Sequence, residues 1–458
     1  MKFRDLSSRS FLLRKVPHSP ARTRALLWGC ALLSGIQVGQ AADPTVTYTK
    51  IADVSTTAPG VGSNFTSLSS ISIDGGNVVF LGVSNGNATP GIYTATAGGL
   101  SLAEVADTTT VGTDSGNSLG SPFSNVLTPS ISGTSIAFRG ITNSFTGIYT
   151  GSIGTIGASL VAQQNDPAVE LHEKISNVVA PAISGSHVAF FGNYINDGTG
   201  GVSGSGLYVG TAGVHATPTL VTDRLTSAPG HSNFVSFNSD LSADGNLVTF
   251  RGNYNGGGNG IYTSKADGTS QTLVADNNTP LPDHSGTFSL GLASPVVSGT
   301  NVAFSTGNGI YLSDATGIHT IADSTTFVPG QSGIQFSGGG FSSTVSLDGE
   351  NVAFTAAYSG GSGIFLEKNG SLLPIVTTNS TLFGDPVYFY SMTNEALDGD
   401  NLAFSYLVNG SSGTTGVAVA NVGADTSVPE PSAAIFLLGG IGSFALGRRS
   451  RKRSLANC

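Results

Sequence analysis

Apolar residues in this chain come in short bursts that return every 50 to 60 positions. Each burst centres on a phenylalanine preceded by an apolar and a small residue, as in VVF, IAF or VAF: Phe80, Phe138, Phe190, Phe250, Phe304, Phe354 and Phe404. Six residues ahead of each stands Asp or Ser (Asp74, Ser132, Ser184, Asp244, Ser298, Asp348, Asp398), always followed by Gly. Asp-Gly between alternating apolar runs predicts a tight hairpin, because Gly adopts the positive φ such turns need. A glycine-led strand follows (GIYT, GLYV, GIYL, GIFL), then another ending VAD or similar. A short alternating strand such as SSISI or SPVVS precedes the turn.

Four short strands repeated seven times predict an all-β fold, a seven-bladed β-propeller of four-stranded blades over residues 42–422. The seventh unit lacks the last strand. A matching segment, YTKIAD (Tyr48 to Asp53), stands before the first unit instead, so the N-terminus is expected to close the ring. A β-solenoid is the alternative, but its ends need not complement each other. The expected core is the seven phenylalanines with Ile71, Ile73, Ile131, Ile183, Leu241, Val297, Leu347 and Leu397. Glycines between strands are expected to serve tight turns.

Composition agrees with a turn-rich β protein: 64 of 458 residues are Gly and 10% are charged. Of 19 Lys and Arg, seven lie in residues 1–41 and five in 448–453, which leaves seven for the rest. Residues 42–427 carry 26 Asp and Glu, so their formal charge is 7 − 26 = −19. A body this acidic repels phosphate polyanions, and nucleic acid is excluded as a partner. The two cysteines, Cys30 and Cys458, lie outside the repeats, which rules out a disulfide framework or thiolate site within them.

The two ends read as addresses. A basic region (Arg14, Lys15, Arg22, Arg24), an apolar run and GQA ending at Ala41 predict a signal peptide over 1–41, cleaved after Ala41. After a linker at 423–427, residues 428–458 hold Pro429, Glu430 and Pro431, an apolar segment 432–447, and the cluster Arg448, Arg449, Arg451, Lys452, Arg453. The segment predicts one transmembrane helix of roughly 24 Å, held by cytoplasmic arginines. This three-part ending resembles the PEP-CTERM sorting signal. The resemblance implies a Gram-negative host, an exosortase as processing partner, and exopolysaccharide production nearby. It also implies export through the inner membrane, with membrane anchoring before processing and a surface or extracellular destination after it.

Candidate chemistry within the repeats is sparse. The recurring Asp of VAD (Asp53, Asp107, Asp223, Asp276, Asp323) and the Asp of the Asp-Gly turns recur once per unit, as turn-capping residues would and catalytic acids would not. The histidines lack metal-ligand spacing, and neither a nucleophile elbow nor a P-loop occurs. No cofactor is expected; calcium stays open, because Glu395, Asp398 and Asp400 place hard oxygen ligands near glycine turns. Asp240 and Glu395 are acids on innermost strands where sister units are neutral, which makes them the candidate channel acids. Loop tyrosines such as Tyr194 and Tyr254 suit sugar contacts.

The repeat frame, with its APGVGSNF-type loops, resembles bodies of other PEP-CTERM-tagged secreted proteins, a likeness that carries no activity. The expected function is a non-catalytic surface or matrix propeller that binds exopolysaccharide or surface proteins. A lyase, glycosidase or lactonase using acids at the central channel is the alternative, and a structural spacer is the third reading.

Overall fold

The structure, a computed structural model, describes residues 45–85, 89–168, 173–196, 203–288, 291–410 and 413–423. The leader ending at Ala41, nearly all of the 423–427 linker, the apolar segment 432–447, Pro429–Glu430–Pro431 and the arginine-rich cluster lie outside those residues. Among the described residues no helix is long and apolar enough to cross a membrane.

Seven sheets form the blades of a closed ring, antiparallel except where an added strand of blade 2 joins in parallel (Thr113 opposite Ser159). Blade 1 runs outward through Phe65–Asp74, Asn77–Ser84, Thr89–Thr96 and Ala103–Asp107, and blades 3 to 6 repeat that order. Blade 2 carries a further hairpin, Val111–Asp114 with Asn117–Pro122, on its outer strand Thr155–Gln163, an addition the four-strand pattern does not foretell. Blade 7 is closed by the N-terminus: Val46–Asp53 pairs antiparallel with Thr414–Val422, from Val46 opposite Val422 to Asp53 opposite Gly416. That pairing covers the edge an open seventh blade would leave, and joins the two ends of the propeller.

Each blade interface is filled by the repeat's own aromatics. All seven phenylalanines are fully buried. In six blades the phenylalanine stacks on the aromatic of the GIY or GIF strand, for example Phe80 on Tyr93 with centroids 5.9 Å apart. A third ring meets this pair edge-on in five blades: Phe65, Phe123, Phe234, Phe288 and Phe336. Blade 7 has GVAV in place of GIY, and Tyr48 of the closing strand supplies the missing ring, edge-on to Phe404 at 6.5 Å. Each buried ring contributes about 1.5–3 kcal/mol, so no cross-link is needed.

The glycine that opens GIY is not a turn residue. It lies within a strand, and a Cβ at Gly91 would stand 2.8 Å from Tyr93 Oη. It is small so that the tyrosine ring can fold back over it.

The Asp-Gly and Ser-Gly turns are hairpins, as the pattern predicts, but their side chains cap the next blade, not their own. The Gly133 N–H donates to Asp74 of the blade before it, Gly185 to Ser132 (3.0 Å), Gly245 to Ser184 (2.8 Å) and Gly299 to Asp244 (2.6 Å). Gly349 donates to Ser298 (2.9 Å), Gly399 to Asp348 (2.7 Å), and Gly76 closes the circle on Asp398 (2.8 Å). One circular chain of bonds thus ties all seven blades at one mouth of the channel. Asp and Ser interchange because either supplies the single acceptor required.

Candidate functional site

The centre of the ring is where a propeller's innermost strands bring residues from every blade together, so the candidate site is built there. In blades 1, 2, 3 and 5 the innermost strand is broken by a bulge with a non-glycine residue at positive φ: Ser70 (50°), Thr128 (48°), Ala180 (51°) and Ser294 (45°). Such bulges bend the strand and redirect its side chains. In blade 1 two residues, Ser70 and Ile71, separate the paired segments; in blade 7 four do, Met392 to Glu395.

The longer segment of blade 7 bridges the channel. Thr393 Oγ1 donates to the Ile71 carbonyl of blade 1, and Asn394 Nδ2 reaches the Leu241 carbonyl of blade 4 at 3.0 Å. Glu395 Oε1 accepts the Ser130 hydroxyl of blade 2 at 2.8 Å, while its carbonyl accepts the Ile73 N–H. On the other side the N–H groups of Ala396 and Leu397 donate to Ser346 of blade 6 at 3.0 Å. One strand segment therefore holds four other blades, and the passage through the ring is spanned. Between the bridge and the turn-side mouth lies a cavity of about 190 Å³, lined by Asn394, Glu395 and the ring of capping Asp and Ser.

Of the two candidate acids, Glu395 is part of this bridge. The residue as a whole is half-buried, but its Oε2 is sealed from solvent and without a hydrogen-bond partner. Burial pushes its carboxyl up to about 7, against the opposing pull of Ser130, Ser72 and the Ile131 N–H. Asp240 lies on the bulged stretch of blade 4 and faces Arg251 at 3.6 Å. No hydrogen bond or ion pair joins the two acids, so they do not form a carboxylate pair.

The other acids divide in the same way. Asp53, Asp107, Asp223, Asp276 and Asp323 each accept bonds from the residues two or three positions on, as turn caps do; Asp107 Oδ1 takes the Thr109 N–H at 2.7 Å. The trio considered for calcium disperses: Asp400 pairs with Lys368, Asp398 caps Gly76 and Glu395 holds Ser130. Among the described residues no group of three His, Cys, Asp or Glu is placed to hold a metal ion.

Several groups are invisible to the repeat pattern. Glu104, on the outer strand of blade 1, is buried; desolvation, and then neighbouring Asp107, push it up to about 7. His215 of blade 3 bridges Asp114 and Asp166 at 3.0 Å each, and His231 bonds Asp276 at 2.7 Å while stacking flat on Tyr254 at 3.7 Å. That stack is one reason the loop tyrosines cannot contact sugar: Tyr254 is 6% exposed and Tyr194 2%. GNY looks like a loop tip in sequence, but its tyrosine is the last inward position of the second strand.

A model described as a family of unknown function (DUF7453) matches residues 34–299, and one described as the PEP-CTERM protein-sorting motif matches residues 427–452. No curated protein matches the chain. Similar solved structures include the β-propeller domain of the Trilobed protease from Pyrococcus furiosus, at 11% identity and TM-score 0.45, covering 80% of this chain and 100% of that one. The polysaccharide lyase Uly1 gives 10% and 0.45 over 83% and 100%. A Mycobacterium tuberculosis puromycin-hydrolyzing peptidase gives 11% and 0.48, over 85% of this chain and 56% of that one. The sorting motif marks an exported chain, with an exosortase as processing partner and the cell surface or extracellular space as destination after processing.

Proposed function

We propose that this chain, which belongs to the DUF7453 family of unknown function and carries the PEP-CTERM sorting motif, is a non-catalytic binding and structural propeller of the cell surface or matrix, associated with exopolysaccharide. The segment 432–447 anchors it in the inner membrane until the exosortase acts near Pro429–Glu430–Pro431.

The bridged channel carries this reading. A channel-centred enzyme needs acids that converge on an open site, with room for substrate between them. Here the asymmetric acid, Glu395, is committed to Ser130 inside a segment that ties blades together, and Asp240 faces an arginine. The remaining channel carboxylates hold glycine N–H groups of the neighbouring blades.

One observation favours the second reading, a polysaccharide-acting or lactonase-like enzyme. A carboxyl pushed up to about 7 beside a cavity has the proton affinity of a general acid. The two readings separate on protein recovered from its producing cells. Binding to the host's extracellular polysaccharide without cleavage, equal in wild type, Asp240→Asn and Glu395→Gln, supports the binding propeller. Turnover of a polysaccharide or lactone that either substitution abolishes would replace it with the enzyme.

A further inference from the structure

We propose that the groove between blades 6 and 7 is a binding site for a neutral glycan, with Tyr388 and Phe389 as its stacking platform. This rests on the binding reading above and names its site.

Blade 7 departs from its sisters where the innermost strand begins. Elsewhere a large buried anchor stands near the start of that strand or a few residues ahead of it (Phe65, Phe123, Ile175, Phe234, Phe288, Phe336). In blade 7 the anchor shrinks to Val387, and two large rings follow it into solvent: Tyr388 is 57% exposed and Phe389 56%. Successive strand residues ordinarily point to opposite faces. A register shift between Val387 and Phe389 relieves that constraint and lets both rings stand clear of the core. Phe389 also stacks on half-buried Tyr390 (centroids 6.4 Å, interplanar 18°), which fixes the orientation of its ring.

A scattered exposed ring needs no explanation. These two border a cavity of about 330 Å³ whose opposite wall is blade 6, where Ser342, Thr344, Thr355, Ser362 and Thr378 supply hydroxyls. No Asp, Glu, Lys, Arg or His lines it. Aromatic faces flanked by neutral donors and acceptors complement a pyranose, which has apolar C–H faces and a rim of hydroxyls. Without a cation in the groove, and on a body of formal charge −19, a polyuronate or sulfated polymer would be repelled. The occupant is therefore a neutral glycan.

The test is affinity electrophoresis of the protein recovered from its producing cells, in gels containing dextran, laminarin or hydroxyethylcellulose, with alginate as the anionic comparator. At least one neutral glycan should retard the wild type, and alginate should not. Tyr388→Ala with Phe389→Ala should weaken that retardation about tenfold, while Tyr388→Phe, which keeps the ring, stays near wild type. Val235→Ala, at the corresponding exposed strand position of blade 4, should have no effect. Unchanged unfolding temperatures would show that the double variant is folded.

Wild-type binding that survives the double substitution overturns the site but leaves a binding propeller. Binding to alginate alone overturns the ligand class. A concentration-dependent dimer lost in the double variant would assign the platform to a second copy and overturn the proposal. Failure of the wild type to bind any of these polymers, or the host's own polysaccharide, would overturn the binding reading itself.

Discussion

Replacing Glu395 by Gln should change how stability depends on pH, and the structure gives both the sign and the size. Burial raises the Glu395 carboxyl from 4.5 in a free chain to about 7 in the fold. Below the lower value the group is protonated in both states and costs nothing. Between the two values the unfolded chain loses the proton while the fold keeps it, so stability falls as pH rises. Above about 7 both states are ionised, and the fold bears the full cost of a charge with a sealed Oε2. At about 1.4 kcal/mol per pH unit, the shift amounts to about 3 kcal/mol.

Gln keeps the acceptor for Ser130 and is neutral throughout, so its curve lacks this contribution. The gap between wild type and Glu395→Gln should therefore move by about 3 kcal/mol in favour of Gln from pH 4.5 to pH 7.5. For a domain of about 380 residues that is roughly 4 °C in Tm. Glu104, also raised to about 7, contributes equally to both proteins and cancels in the difference. Thermal unfolding of the pair in low-salt buffers across this range is the assay. Parallel curves would refute a buried, partly satisfied carboxyl in the channel bridge.

Three further outcomes follow from the geometry. Asp348→Ala removes the acceptor of the Gly399 N–H and should cost about 1–2 kcal/mol in chemical denaturation. Asp348→Ser, which copies the sister blades, should cost much less; equal losses would contradict the capping ring. Deleting residues 46–53 removes the closing strand and bares the edge of Thr414–Val422, so soluble monomer should give way to aggregate on size exclusion, and an unaltered monomer would deny the closure. His215 is opposed by its burial, but the carboxylates of Asp114 and Asp166 raise it overall. Its clamp on the blade 2 hairpin is thus fully present below its unfolded value and lost as pH rises through the folded one. Corrected for the intrinsic exchange rate, the protection of residues 111–122 should fall over that interval in wild type and stay level in His215→Gln.

The repeat was legible because each interface reuses one local code. An apolar-small-Phe strand, an Asp-Gly or Ser-Gly turn six residues earlier and a GIY strand fix four strands and their buried face within one unit. The closing strand was legible as a count, one outer strand missing at one end and present at the other. What escaped depends on ring closure. Asp74 reads as capping its own turn, and only the ring brings Gly133 of the next blade to it. Glu395 stood out as an acid among neutral residues, yet its partner Ser130 is 265 positions away in sequence. Asn394 carried no signal, although its reach to Leu241 is what spans the channel. The tyrosines of GNY looked polar and loop-like because glycine and asparagine surround them, and nothing in the repeat pattern marked Tyr388 and Phe389. Local polarity does not report a strand bulge.

On the proposed binding function, the ring holds its ligand without cutting it. The most direct measurement is light-scattering molar mass of the host's polysaccharide, followed over time with protein recovered from the cell surface, alongside the fraction of protein bound. Bound protein with an unchanged polymer mass is the predicted result. A polymer mass that falls with wild type, and stays constant with Glu395→Gln, would contradict it and place an active site at the channel.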